Sequence, residues 1–188
     1  MKKGIRVILS LLMVVSMMAI NMNVIYATNN QNTRAARRVS HSGKCGSNAT
    51  WKLYSDGQLV ISGTGAMDNY KGYDFPSDFG PWCYYENDIF SVKVESGITS
   101  IGDYAFTYLS TISKVELPNT IKTIGVDAFH STDLEEVNLP NNLEKIDDGA
   151  FSYCMKLKSI KLPTNLKSLG ISAFEGYVND KNSLPRLS

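Results

Sequence analysis

The chain has 188 residues, with 19 Lys and Arg against 18 Asp and Glu, and 43% of its residues are hydrophobic. That length fits one ordinary domain, or a domain preceded by a processed segment. The nearly balanced charge gives no reason to expect a nucleic-acid partner, and the composition excludes a collagen-like or wholly disordered chain. Three cysteines are too few for a disulfide scaffold, and they lack the CxxC spacing of a zinc site.

Residues 1–27 have the pattern of a secretory signal peptide. Three basic residues precede an apolar run over residues 7–20, which is shorter than the roughly 20 residues that a membrane-spanning helix needs. We therefore predict cleavage near Ala27, with an uncleaved anchor as the alternative. Since no later segment is apolar enough to span a membrane, we expect a secreted protein whose attachment to a cell surface is noncovalent.

Residues 28–43 are polar and show no hydrophobic periodicity. They offer too little apolar surface to offset the entropy lost on ordering, so they are predicted to form a flexible lead. The pair Arg37-Arg38 is a candidate processing site or a contact for an anionic cell-wall polymer. A solvated tail is the simpler interpretation.

A repeat of 22 or 23 residues dominates the second half of the chain. Ala-Phe begins at positions 105, 128, 150 and 173, and Leu-Pro begins at positions 117, 139, 162 and 184. A third marker, Ile-Gly or a close variant, begins at positions 101, 124, 146 and 169. A repeat of this kind decides the architecture, because one unit cannot bury its own apolar face and must stack on its neighbours.

Each repeat can be interpreted physically. Apolar residues such as Val115 and Leu117 alternate with polar ones, as in a β-strand, and the proline that follows ends the strand because it has no backbone N–H. The phenylalanine of Ala-Phe fills the interior on the return limb. The sequence therefore predicts a β-rich repeat solenoid of stacked 22–23-residue coils over residues 88–188, with a last coil that is degenerate and polar.

These motifs resemble those of the BspA-type leucine-rich repeat family of bacterial secreted and surface proteins. The segments at 100–106 (SIGDYAF) and 115–119 (VELPN) read like family consensus, and the resemblance covers about residues 88–185. It implies a curved parallel-sheet solenoid, secretion, a role in adhesion or protein binding, and no shared catalytic residues. The chain is short for that family, so a truncated gene is an alternative interpretation.

Residues 44–87 are predicted to form an N-terminal cap for the solenoid. Two alternating runs, 50–54 and 58–62, are joined by a segment containing Asp56-Gly57, and Asp-Gly between such runs predicts a β-hairpin. Cys45 and Cys83 lie in this segment, and an extracellular setting permits a disulfide between them. Cys154, just beyond an Ala-Phe pair, is predicted to be a buried free thiol.

Seven aromatic residues lie between positions 70 and 85. Because glycines and prolines are interleaved with them, a loop is expected there. Aromatic residues dominate binding hot spots, which makes Tyr70, Tyr73 and Tyr85 candidate ligand contacts. The alternative is that the rings pack over the first repeat, and we favour it for Phe79 and Trp82.

Strand residues that point away from the core form a second candidate surface. Parallel strands lie about 4.8 Å apart, so Lys93 is expected beside Glu116, and Lys114 beside Glu136. This face is polar and has no aromatic residues, so its plainer role is to keep the sheet soluble. The candidate ligand contacts on it are Lys93, Lys114, Glu116, Glu136, Asn138 and Lys161.

The sequence shows no motif for catalysis, for metal binding or for phosphate binding. Neither His41 nor His130 neighbours a recognisable nucleophile motif, and zinc would need three or four ligands. We therefore predict a non-enzymatic binding or adhesion module without cofactors, expected to be a monomer. Its expected partner is an extracellular protein or cell-surface ligand, cell-wall polymers included. A self-assembling structural protein of the envelope is the alternative.

Overall fold

The computed structural model describes residues 37–176. The signal peptide predicted over residues 1–27, the first part of the predicted lead and the degenerate end of the last repeat lie outside the described residues. All the strands below lie between residues 38 and 176.

The described strands form two sheets. The six-stranded sheet has the order β1-β2-β3-β5-β7-β9, and the five-stranded sheet has the order β11-β10-β8-β6-β4. A 3₁₀ helix, Cys83–Asp88, precedes β5. The strands are β1 (Val39–Lys44), β2 (Ala49–Tyr54), β3 (Gln58–Gly63), β4 (Gly65–Ala66), β5 (Ser91–Val94), β6 (Ile98–Ile101), β7 (Lys114–Glu116), β8 (Thr123–Ile124), β9 (Glu136–Val137), β10 (Lys145–Ile146) and β11 (Ser168–Leu169).

Strands of successive repeats pair in parallel, with equivalent residues side by side. In the six-stranded sheet Val92 pairs with Val115, and Val115 pairs with Val137. In the five-stranded sheet Ile124 pairs with both Ile101 and Ile146. This register follows from the constant repeat length, and it places the apolar residues of β5–β10 on the buried side while their polar neighbours are partly or fully exposed.

A column of aromatic rings runs through the core. Phe106, Phe129, Phe151 and Phe174 stack in order, with centroids 5.1–5.4 Å apart. Trp82 continues the column at its N-terminal end, 5.2 Å from Phe106, and its indole N–H donates to the carbonyl oxygen of Ala105 at 2.8 Å. Trp82 and Phe79 are buried, as we predicted for these two rings.

Turns of the repeats use left-handed backbone at two fixed positions. The first carries Tyr104, Asp127, Gly149 and Ser172, and the second carries Tyr108, Ser131, Tyr153 and Gly176. The glycine of the Ile-Gly marker is required for a different reason. A Cβ atom at Gly102 would overlap the carbonyl oxygen of Asp68, so close approach of two chain segments excludes a side chain there.

Residues 39–43, predicted as part of the flexible lead, form most of β1 instead. This strand pairs antiparallel with β2, with Gly43 opposite Trp51, and the hydroxyl of Ser40 donates to the carbonyl oxygen of Leu53 at 2.9 Å. All six residues of β1 are exposed. Backbone hydrogen bonds hold this edge strand, which explains why no apolar alternation marked it in the sequence.

Strands β2 and β3 pair antiparallel, with Trp51 opposite Ile61, across a turn in which Gly57 has a φ of +78°. β3 then pairs in parallel with β5, so that Leu59 lies beside Val92. The antiparallel strands therefore continue directly into the sheet built by the repeats.

The candidate disulfide does not form in the structure. Among the described residues, Cys45 and Cys83 are both buried free thiols, and burial raises the pKa of each to about 12. Cys154 is also a buried free thiol, as the repeat pattern predicted.

Candidate functional site

The outer face of the six-stranded sheet brings the polar strand residues together as the repeat spacing predicts. Lys93 of β5 lies opposite Glu116 of β7, and Lys114 of β7 lies opposite Glu136 of β9. A bridge between Glu136 and Ser159 extends this row by one more repeat. The face is therefore a continuous polar surface that crosses several repeats.

An ion pair on this face joins Lys114 and Glu116, which belong to the same strand, β7, and not to neighbouring strands. The Nζ atom of Lys114 lies 2.6 Å from Oε1 of Glu116. The hydrogen bond from Lys114, assisted by the charges of Lys114 and Lys93, lowers the pKa of the Glu116 carboxyl. Since both side chains are exposed, the pair organises the surface more than it stabilises the fold.

A depression of about 280 Å³ lies at the end of β9 and contains three of the predicted contacts, Glu136, Asn138 and Lys161. Asn141 and Ser159 add polar groups to it. Its apolar walls are Leu139, Leu162 and Pro163. The depression lies where Leu-Pro interrupts the hydrogen-bond ladder, so the chain leaves the sheet and exposes a hollow.

A second, wider depression occupies the equivalent place near β5 and β7. Lys93 and Glu116 line it, together with Glu95, Ser96 and Pro118. Two repeats thus present similar hollows at their Leu-Pro ends. Ser159 belongs to the predicted outward row, whereas Asn141 was not among the predicted contacts. The repeat phase of Asn141 was the available signal.

The three predicted tyrosines do not form one surface. Tyr73 is 84% exposed, whereas Tyr70 packs against the core with its ring edge-on to Trp82 at 6.1 Å. Within the described residues the Tyr70 hydroxyl has no hydrogen-bond partner, and burial, reinforced by Cys45, raises the pKa of this phenol. Tyr85 also packs against the core and stacks on His41 at 3.8 Å. Tyr70 and Tyr85 therefore fit the structural alternative.

The described residues show neither a metal centre nor a membrane span. Between residues 37 and 176, no group of three or more His, Cys, Asp or Glu side chains is arranged to hold a metal ion. Over the same range, no helix has the length and apolar character to cross a bilayer.

A family model for the BspA-type leucine-rich repeat region matches residues 77–183 in six copies. The chain belongs to the BspA-type leucine-rich repeat family. This result confirms the resemblance seen in the motifs. The match begins earlier than residue 88, in agreement with the position of Trp82 as the first ring of the buried column. The family is generally a non-catalytic repeat family.

A solved leucine-rich repeat protein from Eubacterium ventriosum is similar to this chain, with 30% identity and a TM-score of 0.65. The similarity covers 73% of this chain and 36% of that protein, so the chain spans about a third of its relative. It supports a leucine-rich repeat fold. Among curated proteins, no significant match to the chain is found.

Two more distant solved structures are a T. pallidum leucine-rich repeat protein and a leucine-rich cell surface protein from Faecalibacterium prausnitzii. The first has 24% identity and a TM-score of 0.48, covering 71% of this chain and 67% of that one. The second has 20% identity and a TM-score of 0.47, covering 73% of this chain and 40% of that one.

Proposed function

We propose that this chain is a secreted or surface-associated, non-catalytic binding module whose sheet face contacts an extracellular protein or cell-surface ligand. The observation that carries the proposal is the depression at the end of β9. It combines a carboxylate, an amide and an ammonium group with apolar walls, and ligand sites commonly pair an apolar lining with a few polar groups.

The proposal includes the finer architecture of a solenoid with 22–23-residue coils and an N-terminal cap. Strand β3 pairs with β5, and Trp51, Leu53 and Leu59 are buried. These contacts support a role for β1–β3 in covering the first repeat. The proposed secretion depends on the signal-peptide pattern of residues 1–27.

Binding of the purified chain to a panel of extracellular-matrix proteins, glycans and bacterial wall fractions tests the function. We expect saturable binding to at least one member, lost on combining Asn138→Ala with Lys161→Ala. The matched control combines Asn87→Ala with Lys52→Ala, which changes exposed residues of the same types away from the depression.

Circular dichroism would verify that each variant is folded before binding is compared. Equal loss in the depression variant and its control would contradict the proposed site. A folded wild-type chain that binds no member of the panel would contradict the proposed function.

A further inference from the structure

A second cluster of side chains lies on the segments that follow the strands of the five-stranded sheet. We call it the aromatic row and define it as Phe75, Phe79, Tyr108, His130 and Tyr153. Phe75 and Phe79 each contact Tyr108, with centroids 6.1 and 5.8 Å away. His130 then lies between the two tyrosines, 5.4 Å from each ring.

The two tyrosines of the row are half-exposed and conformationally unusual. Tyr108 and Tyr153 are 47% and 48% exposed, and their φ angles are +62° and +56°. The same repeat position carries Ser131 and Gly176 elsewhere in the chain. The turn of each repeat sets this φ, and serine and glycine fit it, so turn geometry does not select tyrosine at Tyr108 and Tyr153.

The hydrogen bonds of Ser152 indicate which ring nitrogen of His130 carries the proton. The hydroxyl of Ser152 donates its proton to the carbonyl oxygen of Gly149 at 2.8 Å. With its proton on that carbonyl, the Ser152 oxygen, 2.6 Å from Nδ1 of His130, accepts a hydrogen bond from that nitrogen. The Asp127 carboxylate, 3.6 Å from Nδ1, also favours a proton there, and the neutral ring then has Nε2 as its acceptor.

Negative charge lies next to the same rings. Oδ1 of Asp127 is 3.6 Å from Nδ1 of His130. Partial burial raises the pKa of the Asp127 carboxyl, while the neighbouring His130 and Ser152 oppose the rise. Asp133, on the next turn, is already paired with Lys156 at 2.7 Å. The row therefore offers π-faces, a ring nitrogen acceptor and a nearby carboxylate to whatever binds it.

We propose that the aromatic row binds an arginine side chain presented by an extended polypeptide partner. The guanidinium group stacks on Tyr108 or Tyr153 and donates hydrogen bonds toward Nε2 of His130 and the carboxylate of Asp127. A guanidinium is planar, stacks on aromatic rings and carries five N–H donors, and a cation over an aromatic face is attracted by the ring quadrupole. The positive charge of the guanidinium group and its N–H donors thus both complement the acceptors of the aromatic row.

The surroundings of the row select a peptide rather than a free cation. Phe75 is 41% exposed at one end of the row, where it can contact an apolar side chain next to the arginine. An acidic peptide would be repelled by Asp127 and Asp148. Lysine has a compact, strongly hydrated charge and no plane to stack, so it should bind less well.

This inference is independent of the proposed sheet-face function, because no residue of the aromatic row lines either depression. The depression variant Asn138→Ala with Lys161→Ala should leave arginine-peptide binding unchanged. Loss of panel binding without loss of peptide binding, or the reverse, would separate the two surfaces.

The test is fluorescence anisotropy of a labelled peptide, Gly-Arg-Gly-Leu-Gly with blocked ends, titrated with the full chain at low salt. We expect saturable binding that weakens at least tenfold when lysine replaces arginine and disappears with glutamine or glutamate. Combining Tyr108→Ser with Tyr153→Ser should abolish binding without lowering the melting temperature, since serine already occupies the equivalent position at Ser131. Asp127→Asn, made as a single substitution, should also weaken binding, because it removes the carboxylate charge.

The matched control combines Tyr73→Ser with Tyr84→Ser, two exposed tyrosines outside the row, and it should bind the peptide as the parent chain does. Three results would overturn the proposal. They are failure of the folded chain to bind the arginine peptide, equal binding by the row variant, and equal affinity for the glutamine peptide. Tetramethylammonium that competes as strongly as the arginine peptide would overturn the guanidinium assignment.

Discussion

The repeats and the segment before them bury their aromatic rings by different geometric rules. In the repeats, Phe129, Phe151 and Phe174 stack almost parallel, with interplanar angles of 7°. Before the repeats, Trp51 and Tyr70 meet Trp82 edge-on, at 80° and 79°. Translation from repeat to repeat brings equal positions together, so their rings stack, and the first pair, Phe106 and Phe129, is inclined by 22°. The segment before the repeats has no such translation, so local packing sets the angles between its rings. Aromatic rings often prefer edge contacts.

Trp82 belongs to both regions, so removing it should have the largest effect. We expect Trp82→Ala to cost roughly 3–5 kcal/mol of unfolding free energy, since it removes a large buried ring and leaves a cavity. It also leaves the carbonyl oxygen of Ala105 without its donor. Urea unfolding measures the change. Tyr84→Ala, an exposed ring in the same segment, is the control, and a similar loss in both would contradict the joint role of Trp82.

The next prediction concerns close approach at the Ile-Gly marker. Gly102→Ala places a Cβ atom against the carbonyl oxygen of Asp68, and we expect a loss of about 2 kcal/mol, as in overpacked cores. Asp147 occupies the equivalent position of a later repeat, so Asp147→Ala should cost far less. Thermal unfolding compares the two. Because Asp147 already carries a Cβ atom, equal costs would contradict close approach as the cause of the loss at Gly102.

A smaller, stabilising change is expected at the second left-handed position. Ser131 has a φ of +54°, and Ser131→Gly should relieve a backbone cost of about 1–2 kcal/mol. The greater freedom of glycine in the unfolded chain offsets part of it. We therefore expect a net gain below about 1 kcal/mol in urea midpoint experiments. Ser113→Gly, an exposed serine without positive φ, should destabilise instead, and a gain there would refute the explanation.

The smallest effect is expected from the exposed ion pair of the sheet face. The pKa of Glu116 is lowered from its ordinary value of 4.5, so its contribution is present above that value and is lost as pH falls through the folded pKa. Because water screens the pair, we expect about 0.5 kcal/mol or less. Glu116→Gln should remove this part of the pH dependence of urea unfolding below pH 4.5. An unchanged acid profile would show that the pair contributes nothing.

The repeat region was largely predictable because one rule fixes many positions. The constant spacing of Ala-Phe and Leu-Pro predicted which side chains are buried, and it also predicted the pairing of Lys93 with Glu116. The same rule could have located Tyr108 and Tyr153, which share a repeat position, but only the structure shows that His130 lies between them.

The repeat spacing did not predict the structure of the segment before the repeats. The residues of β1 are all exposed, so the backbone bonds that hold it leave no trace in the hydrophobic pattern. Tyr70 and Tyr85 looked like free contacts because nothing in the sequence tells whether a loop tyrosine packs inward. Tyr70 packs edge-on to Trp82 and Tyr85 stacks on His41, and no repeated motif marks either contact.

The backbone of each repeat supplies the next with the same hydrogen-bond partner. The N–H groups of Phe106, Phe129 and Phe151 each donate to the alanine carbonyl oxygen of the following repeat at 2.8 Å. A gene duplication that adds one whole unit would restore every such bond at the new junction, whereas an insertion of any other length would break the phase. Recombination can therefore lengthen or shorten this protein in whole units. Each resulting chain would keep the same hydrogen bonds between neighbouring repeats.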